Sequence, residues 1–308
     1  MSVSTHLRAR SGLLAVSGGA LLWGTTGVAV RIVHDRSGLA AVSIGWYRVA
    51  IAAAVVALVF RGPGLRAAAH AVRRRPFTLA LSGAGFGAYQ ALYFVGVQFV
   101  GVSVSTLVSL GIAPVALTAG AAIARRRWPA LGSVAVLLCA ITGLALVALR
   151  PGTGANAPHP VLGVLASIAS GLGYAGITAL SRRMSDEDPL VLTGVTSAVG
   201  AVVLLPFAIA AGMAVPSDGI ANGWLVYIGV VPTVAAYWLF YRGLRSTASE
   251  VTGVLTLLEP LAAAVLAAIV LHETLTGEAF LGGCLMLLAV GSLYLRKPTP
   301  DVGEVPPP

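Results

Sequence analysis

The sequence predicts an all-α membrane protein of ten transmembrane helices, arranged as two inverted five-helix repeats with both termini in the cytoplasm. Three observations predict this fold class: the apolar composition, the one-sided distribution of basic residues, and an internal repeat. Hydrophobic residues make up 57% of the 308 residues and charged residues only 10%, and the mean hydropathy is +0.90. A soluble domain carries about 25% charged residues. Lipid must therefore surround most of this chain.

Ten apolar runs, each about the length of a membrane span, follow one another along the chain. We place them at residues 12–33, 40–60, 77–98, 102–124, 130–149, 160–181, 189–212, 223–244, 248–271 and 278–296. Helices satisfy their own backbone hydrogen bonds in lipid, and the runs lack the alternation of barrel strands. The first run is longer than the apolar core of a signal peptide, which has about 7–15 residues. It therefore predicts an uncleaved first helix.

Basic residues fall almost entirely on one side of these ten helices. If the N-terminus is cytoplasmic, that side holds Arg8, Arg10, Arg61, Arg66, Arg73, Arg74, Arg75, Arg125, Arg126, Arg127, Arg182, Arg183, Arg242, Arg245, Arg296 and Lys297, which are 16 of the 20 basic residues. The outer side holds Arg31, Arg36 and Arg150, and Arg48 lies within the second helix. An excess of Lys and Arg marks cytoplasmic loops. The asymmetry therefore predicts cytoplasmic termini, and it attributes the net charge of +9 to topology rather than to nucleic-acid binding.

The two halves of the chain resemble each other. Gly12–Asp35 aligns without gaps on Gly163–Asp186 with six identities, and Trp23 falls on Tyr174. Further matching positions follow in the same order: Ala88, Tyr89 and Tyr93 correspond to Ala236, Tyr237 and Tyr241, and Pro114 corresponds to Pro260. Because each half has five helices, the second enters the membrane inverted, which is an architecture of many secondary transporters. We therefore predict repeats at residues 12–149 and 160–296, followed by a proline-rich, disordered cytoplasmic tail at 297–308.

Four short motifs carry a resemblance to a known family. They are Leu21-Leu22-Trp23-Gly24 in helix 1, Trp46-Tyr47-Arg48 in helix 2, Leu258-Glu259-Pro260 in helix 9, and His272-Glu273 followed by Thr276-Gly277. In this order, and within ten helices in two halves, they resemble the EamA branch of the drug/metabolite transporter superfamily. The resemblance implies a transporter of the bacterial cytoplasmic membrane that exports amino acids, aromatic ones among them, or related metabolites. It departs from the family pattern at Tyr174, where many members carry Trp, and at Gln90.

Two ionisable residues lie deep in a predicted helix, where a charge is costly and demands a reason. Glu259 is either a partner for a substrate ammonium, or a protonatable switch, or a structural partner for Arg48 or for backbone freed by Pro260. Arg48 either binds a substrate carboxylate, or forms a static ion pair, or extends to the outer interface. The two positions are the charged candidates for a substrate site.

Polar aromatic and hydroxyl residues complete the predicted substrate site: Trp23, Tyr89, Gln90, Tyr93, Tyr174, Tyr237, Trp238 and Thr256. Tyr89 and Tyr93 share one helix face because they are four residues apart, and such a lining suits a zwitterion with an apolar side chain. Helix-packing contacts are the alternative. We expect Trp224, Tyr227, Tyr241 and Tyr294 to lie in the interfacial aromatic belt. Pro114 and Pro260 are either gating hinges or fixed kinks.

Other functions find less support in the residues. The five histidines lie in tails or loops, and no metal-ligand spacing or phosphate-binding loop appears, so we expect no cofactor, no metal and no enzyme. A multidrug exporter is an alternative substrate assignment. A phosphorylated-solute exchanger would need several cavity cations, and the chain offers only Arg48. A membrane scaffold or receptor subunit would not need an inverted repeat. The expected partners are a small-molecule substrate and the bilayer; homo-oligomerisation is left open.

Overall fold

The computed structural model describes residues 3–60, 63–148, 159–270 and 276–295, and the long elements in these ranges are all helices. They are α1 (Val3–Gly24), α2 (Thr26–Ser37), α3 (Ala41–Val59), α4 (Pro63–Arg74), α5 (Pro76–Arg125), α6 (Leu131–Ala148), α7 (Pro160–Arg182), α8 (Pro189–Ala210), α9 (Gly219–Gly229), α10 (Ala236–Leu244), α11 (Ser249–Leu255), α12 (Leu258–Val270) and α13 (Gly277–Leu295). A π-helical segment, Val230–Ala235, joins α9 to α10. The predicted tail and several predicted loop residues lie outside the described ranges: Arg61, Arg150, His272, Glu273, Arg296 and Lys297.

Among the residues that the structure describes, nine helical segments are long and apolar enough to cross a membrane. One of them, the 50-residue α5, would be about 75 Å long as a straight helix, whereas the hydrocarbon core is about 30 Å thick. Gly101 interrupts it with φ 80° and ψ 166°. The Tyr93 and Thr106 hydroxyl oxygens, thirteen residues apart, lie 2.8 Å from each other.

The contact shows that the chain reverses direction at Gly101. We therefore divide α5 into α5a, residues 76–100, and α5b, residues 102–125. Counted in this way, the described spans number ten and match the predicted apolar runs to within a few residues, apart from the first, which begins earlier. The prediction of an all-helical membrane protein with about ten helices is confirmed.

Replacing Gly101 by alanine tests the reversal. A Cβ strains the backbone at this φ and ψ, because only glycine adopts the region freely, and such strain costs about 1–3 kcal/mol. Gly101→Ala should therefore lower the thermal unfolding temperature of the purified protein. Gly120→Ala is the matched control, since a Cβ there meets no atom within 4 Å. Equal unfolding temperatures for both variants would contradict the tight turn.

Three spans contain breaks that the apolar runs did not predict. Span 1 breaks between α1 and α2, where the Thr25 hydroxyl donates to the Leu22 carbonyl at 2.7 Å. Span 8 is π-helical around Pro232, and the Thr233 hydroxyl donates at 2.8 Å to the Ile228 carbonyl, which Pro232 cannot reach with an N–H. Span 9 breaks between α11 and α12. Hydroxyl side chains re-satisfy backbone groups at two of these breaks, as a membrane interior requires.

The short helix α4 was also not predicted. Its 12 residues are too few to span a membrane, so hydropathy alone assigned them to a loop. Ala71 on one face is only 1% exposed, whereas Arg66 and Arg73 on the opposite face are exposed. The helix therefore packs its apolar face on the bundle next to α5a and α8.

Polar contacts between loops divide the molecule into two faces. On the first face, Arg75 binds Asp186 and Arg245 donates to the Glu187 carbonyl at 2.6 Å. On the second face, Arg36 binds Asp218 at 3.1 Å. Loops that follow even-numbered spans thus meet one another on the first face, as spans that cross the membrane alternately require.

Glycines bring the spans together. At the contact between α6 and α13, a Cβ on Gly143 would lie 2.6 Å from the Gly282 carbonyl oxygen, and a Cβ on Gly282 would lie 2.5 Å from the Gly143 carbonyl oxygen. Small residues permit such close approach in membrane proteins. Between α3 and α8, the Trp46 indole N–H donates to the Ala201 carbonyl at 3.0 Å. The helices α1, α5a, α7 and α10 pack around a common centre, where the candidate site lies.

Candidate functional site

An aromatic cluster occupies the centre of the bundle. The Trp23 ring, at the end of α1, lies 4.8 Å from the Tyr237 ring on α10 and 5.2 Å from the Phe240 ring. Phe86 on α5a lies 5.0 Å from Tyr237 in an edge-to-face arrangement, which aromatic pairs favour. The other members are Tyr89, Tyr174 and Tyr241. Four helices thus bring seven rings into one contiguous cluster.

Two tyrosine hydroxyls join the halves of the chain within this cluster. Tyr89 lies on α5a in the first half and Tyr237 on α10 in the second, and their hydroxyl oxygens are 2.9 Å apart. Tyr174 on α7 places its ring 5.6 Å from Tyr89. Its hydroxyl is buried near those of Thr178 and Thr256 but is not in hydrogen-bonding geometry with either. The three tyrosines, each predicted from the sequence as a site residue, therefore lie next to one another.

Arg48 enters the site from α3. One terminal nitrogen donates to the side-chain oxygen of Gln90 on α5a, while its Nε is buried without a hydrogen-bond partner. Its charge acts on Tyr89, Tyr237 and Glu259. Among the described residues, however, no carboxylate oxygen lies within the 4 Å of an ion pair with Arg48. Arg48 is thus oriented by an amide rather than neutralised by an acid.

Glu259 lies at the break in span 9, as the eleventh of the 22 residues of Ser249–Val270. It belongs to the first turn of α12, where a helix terminus favours negative charge and Pro260 costs no hydrogen bond. The Glu259 N–H donates to the Thr256 carbonyl at 3.0 Å. Its side chain is partly exposed and has no hydrogen-bond partner in the described part of the chain. A tightened turn near the middle of span 9 therefore presents a carboxylate that has no ion-pair partner among the described residues.

Of the remaining predicted site residues, one lies in the site region, and two make contacts of other kinds. Tyr93 bonds to Thr106 across the α5a–α5b reversal, one turn from Tyr89 on the same face, and belongs to the site region. The Thr256 hydroxyl donates to the Gly253 carbonyl of its own helix at 2.9 Å. Trp238 stands apart from the cluster, and its ring contacts the Arg242 guanidinium at 5.3 Å.

The two predicted hinge prolines differ. Pro260 lies directly after the break in span 9, whereas α5b remains helical through the buried Pro114. A Cβ on Gly253 of α11 would lie 3.0 Å from the Pro114 Cα. Pro114 therefore forms a packing surface for span 9, beside the break that positions Glu259.

Sequence reasoning missed two residues of the cluster, and it placed Tyr241 wrongly. Tyr241 is only 3% exposed and lies 3.3 Å from the Thr196 hydroxyl, so it does not belong to the interfacial belt. Phe86 and Phe240 were not singled out. Each lies three residues from a predicted tyrosine and so on the same helix face, which is the signal that identifies them. The described residues hold no group of three potential metal ligands.

Comparison with known proteins shows relatives over nearly the full chain. The model of the EamA-like transporter family matches residues 161–295. The uncharacterized transporter YwfM of Bacillus subtilis is 27% identical over 273 residues, which cover 88% of this chain and 89% of YwfM. An uncharacterized transporter of Haemophilus influenzae is 32% identical over 124 residues, which cover 39% of this chain and 72% of that protein.

Two further comparisons agree with the fold. The uncharacterized inner membrane transporter YicL of Salmonella typhimurium is 23% identical over 284 residues, which cover 91% of this chain and 94% of YicL. A crystal structure 19% identical in sequence has a TM-score of 0.77 and covers 96% of this chain and 98% of that chain. The family match, the relatives and the ten apolar spans lead to one conclusion: the chain is a multi-pass membrane protein that belongs to the EamA-like transporter family.

Proposed function

We propose that the protein is a secondary transporter that exports small metabolites, neutral or aromatic amino acids above all, by alternating access at a cavity between its two halves. The observation that carries the proposal is the set of unsatisfied polar groups around the aromatic cluster. The Trp23 indole N–H and the Arg48 Nε are buried without hydrogen-bond partners, and the Glu259 carboxylate has no donor in the described chain. A buried polar group without a partner costs about 1–3 kcal/mol.

A zwitterion completes these groups. Its carboxylate accepts a hydrogen bond from Arg48 and its ammonium donates one to Glu259. Each of these side chains thereby gains an oppositely charged partner, which it lacks among the described residues. Charge-assisted hydrogen bonds of this kind are about twice as strong as neutral ones. The rings of Trp23, Tyr89 and Tyr174 then surround the side chain of the substrate. This pairing favours amino acids over phosphorylated solutes, whose two negative charges would repel Glu259.

We further propose that the halves are inverted repeats. The contacts between matching residues support this. Trp23 of the first half packs on Tyr237 of the second, and their counterparts in the repeat, Tyr174 and Tyr89, also pack on each other. The contact of 2.9 Å between the Tyr89 and Tyr237 hydroxyls likewise joins matching positions of the two halves, as residues near a two-fold axis do. Opposite insertion of two such halves is the architecture that underlies alternating access in many secondary transporters.

Ion pairs between the halves occupy both faces of the molecule. Arg75, at the start of α5a, makes two hydrogen bonds of 2.9 Å to the Asp186 carboxylate after α7. On the other face Asp218, the N-cap of α9, binds Arg36 at the end of α2. The first pair links the beginning of span 3 to the end of span 6, and the second pair links the beginning of span 8 to the end of span 1. We propose that each ion pair holds its face of the molecule closed, and we call the pair of Arg75 and Asp186 the inner latch and the pair of Arg36 and Asp218 the outer latch. The Arg75 face is cytoplasmic in this proposal, because basic residues concentrate there.

The latches predict opposite effects of two substitutions. Asp186→Asn should open the Arg75 face and Asp218→Asn the Arg36 face, each by up to about fivefold in population, since exposed ion pairs contribute under about 1 kcal/mol. Distances between paired spin labels on each face measure the shift. Asp35→Asn is the matched control, because the pair of Arg31 and Asp35 lies within one helix. Opening of the same face by both variants would contradict the latches.

Acid should also open the outer latch, but only in strong acid. The Ile220 amide and the Arg36 guanidinium hold the pKa of Asp218 below its usual value. A carboxylate with a lowered pKa keeps its partner as the pH falls past the usual pKa and loses it at the lowered one. The spin-label distance on the Arg36 face should therefore stay constant down to about pH 4 and increase below it. An increase already near neutral pH would exclude Asp218 as the titrating latch.

Solute counterflow tests the proposed function. Purified protein in liposomes preloaded with unlabelled solute should accumulate the same radiolabelled solute, and a panel of amino acids, drugs and sugars identifies the class. We expect neutral or aromatic amino acids to give counterflow. Absence of counterflow for every member of the panel, with protein that is folded and correctly inserted, would contradict the proposal.

A further inference from the structure

A groove of about 430 Å³ runs along the perimeter of the helix bundle between α5a and α7, where the first half of the chain meets the second. It is lined chiefly by Gly85, Gly173, Gly176, Ile177, Leu180 and Arg183. Two of the glycines let the helices approach closely. A Cβ on Gly85 would lie 3.0 Å from Ile177, and one on Gly173 would lie 3.1 Å from the Tyr89 Cβ. A Cβ on Gly176 meets no atom within 4 Å, so the groove is open space at that point.

The groove faces the hydrocarbon of the membrane. Its wall residue Leu81 is 49% exposed, and Leu172 beside it is 51% exposed; both belong to apolar membrane spans. From Gly173 to Arg183 the groove follows α7 for ten residues, about 15 Å of helix. This length equals half of the roughly 30 Å hydrocarbon core, which is the depth of one leaflet. An acyl chain is the ligand with this length and polarity.

The cation Arg183 lines the interfacial end of the groove. Arg183 is exposed, and among the described residues no carboxylate lies within 4 Å of its guanidinium. The nearby Asp186 is already bound by Arg75, which also donates to the Arg183 carbonyl at 2.8 Å and so fixes the backbone there. The guanidinium therefore lies at the membrane surface with its donors available. Arginine forms strong hydrogen bonds to phosphate.

We propose that this groove is a binding site for one anionic phospholipid. The acyl chain lies over Gly85, Gly173 and Gly176, and the phosphate accepts hydrogen bonds from Arg183. The occupied groove spans α5a of the first half and α7 of the second. The lipid therefore stabilises the arrangement in which these helices are packed together. This site is separate from the proposed substrate cavity, although Tyr89 lies directly behind its floor.

Lipid binding to the full-length, delipidated protein tests the proposal by native mass spectrometry. The probes are dioleoylphosphatidylglycerol, dioleoylphosphatidylcholine and, as a headgroup without acyl chains, glycerol 3-phosphate. Gly176→Leu places a side chain in the groove from a position whose Cβ meets no atom within 4 Å, and Arg183→Gln removes the cation. Gly120→Leu is the control, because Gly120 is also exposed on a membrane span with no atom within 4 Å of its Cβ position. Matching unfolding temperatures show that each variant is folded.

We expect the wild-type protein and Gly120→Leu to bind phosphatidylglycerol in preference to phosphatidylcholine. Arg183→Gln should reduce this preference roughly fivefold, which corresponds to about 1 kcal/mol per basic residue at the membrane surface. Gly176→Leu should bind one lipid fewer of either kind. Wild-type lipid binding by Gly176→Leu would overturn the proposal. So would competition by glycerol 3-phosphate as strong as that of the lipid, which would indicate a simple anion site.

Discussion

Glu259→Gln is expected to lower the rate of counterflow by about tenfold to a hundredfold while the protein remains folded. Glutamine keeps the size and the hydrogen-bonding oxygen of glutamate but removes the charge that we assign to the substrate ammonium. Hydrogen bonds to charged groups contribute about 1.5–3 kcal/mol, which corresponds to that range of affinity. Initial rates in proteoliposomes at substrate concentrations below saturation measure the loss.

Glu278→Gln provides the control for this substitution. Glu278 also lies in the first turn of a helix, α13, but its side chain is exposed and away from the aromatic cluster. Its replacement should leave counterflow unchanged. If Glu259→Gln transports as fast as the wild-type protein between about pH 5.5 and 8, Glu259 has no part in binding or coupling.

Gly24→Val is expected to abolish transport and to lower stability by displacing the helix that carries Glu259. A Cβ on Gly24 would lie 2.8 Å from the Glu259 carbonyl oxygen and 2.5 Å from the Ala262 Cβ. Neither position can yield without moving α12 away from α1, and overpacking of this kind costs about 1–3 kcal/mol. Counterflow and thermal unfolding of the purified variant measure the two effects.

Gly27→Val separates this steric effect from any general effect of a β-branched residue. Gly27 lies one turn beyond Gly24, in α2, and a Cβ there meets no atom within 4 Å. It should behave like the wild-type protein in both measurements. Equal losses in the two variants would contradict the close packing of α1 on α12.

Most of the fold was predictable because a membrane imposes a simple rule on sequence. Apolar runs of about 20 residues must be helices, and this rule located even the reversal at Gly101, where two runs follow each other with almost no loop. The break at Thr25 escaped prediction, since it occurs inside a uniformly apolar run, whereas the breaks in spans 8 and 9 lie next to Pro232 and Pro260, and proline bends helices. The helix α4 escaped because its apolar face packs on protein and not in lipid.

The candidate site was predictable in its polar members only. An intramembrane charge such as Glu259 or Arg48 demands an explanation, so both were evident from the sequence. Phe86 and Phe240 were not evident, because a phenylalanine in an apolar helix is costless and needs no functional explanation. The bond between Arg48 and Gln90 depends on how α3 packs against α5a, which one sequence does not reveal. Tyr241 was assigned to the interface from its place near a span end, whereas tertiary packing buries it.

The central claim is that substrate binds between the halves, next to Arg48 and Glu259. Cysteine protection tests it most directly, in a background with Cys139 and Cys284 replaced by serine. The substitution Gln90→Cys places a thiol beside Arg48, and Ser217→Cys places one on an exposed loop as the control. We expect the amino acid that gives the strongest counterflow to slow labelling of Gln90→Cys by a water-soluble thiol reagent at least about fivefold, and to leave Ser217→Cys unaffected. Labelling of Gln90→Cys at the same rate with and without saturating substrate would contradict the account.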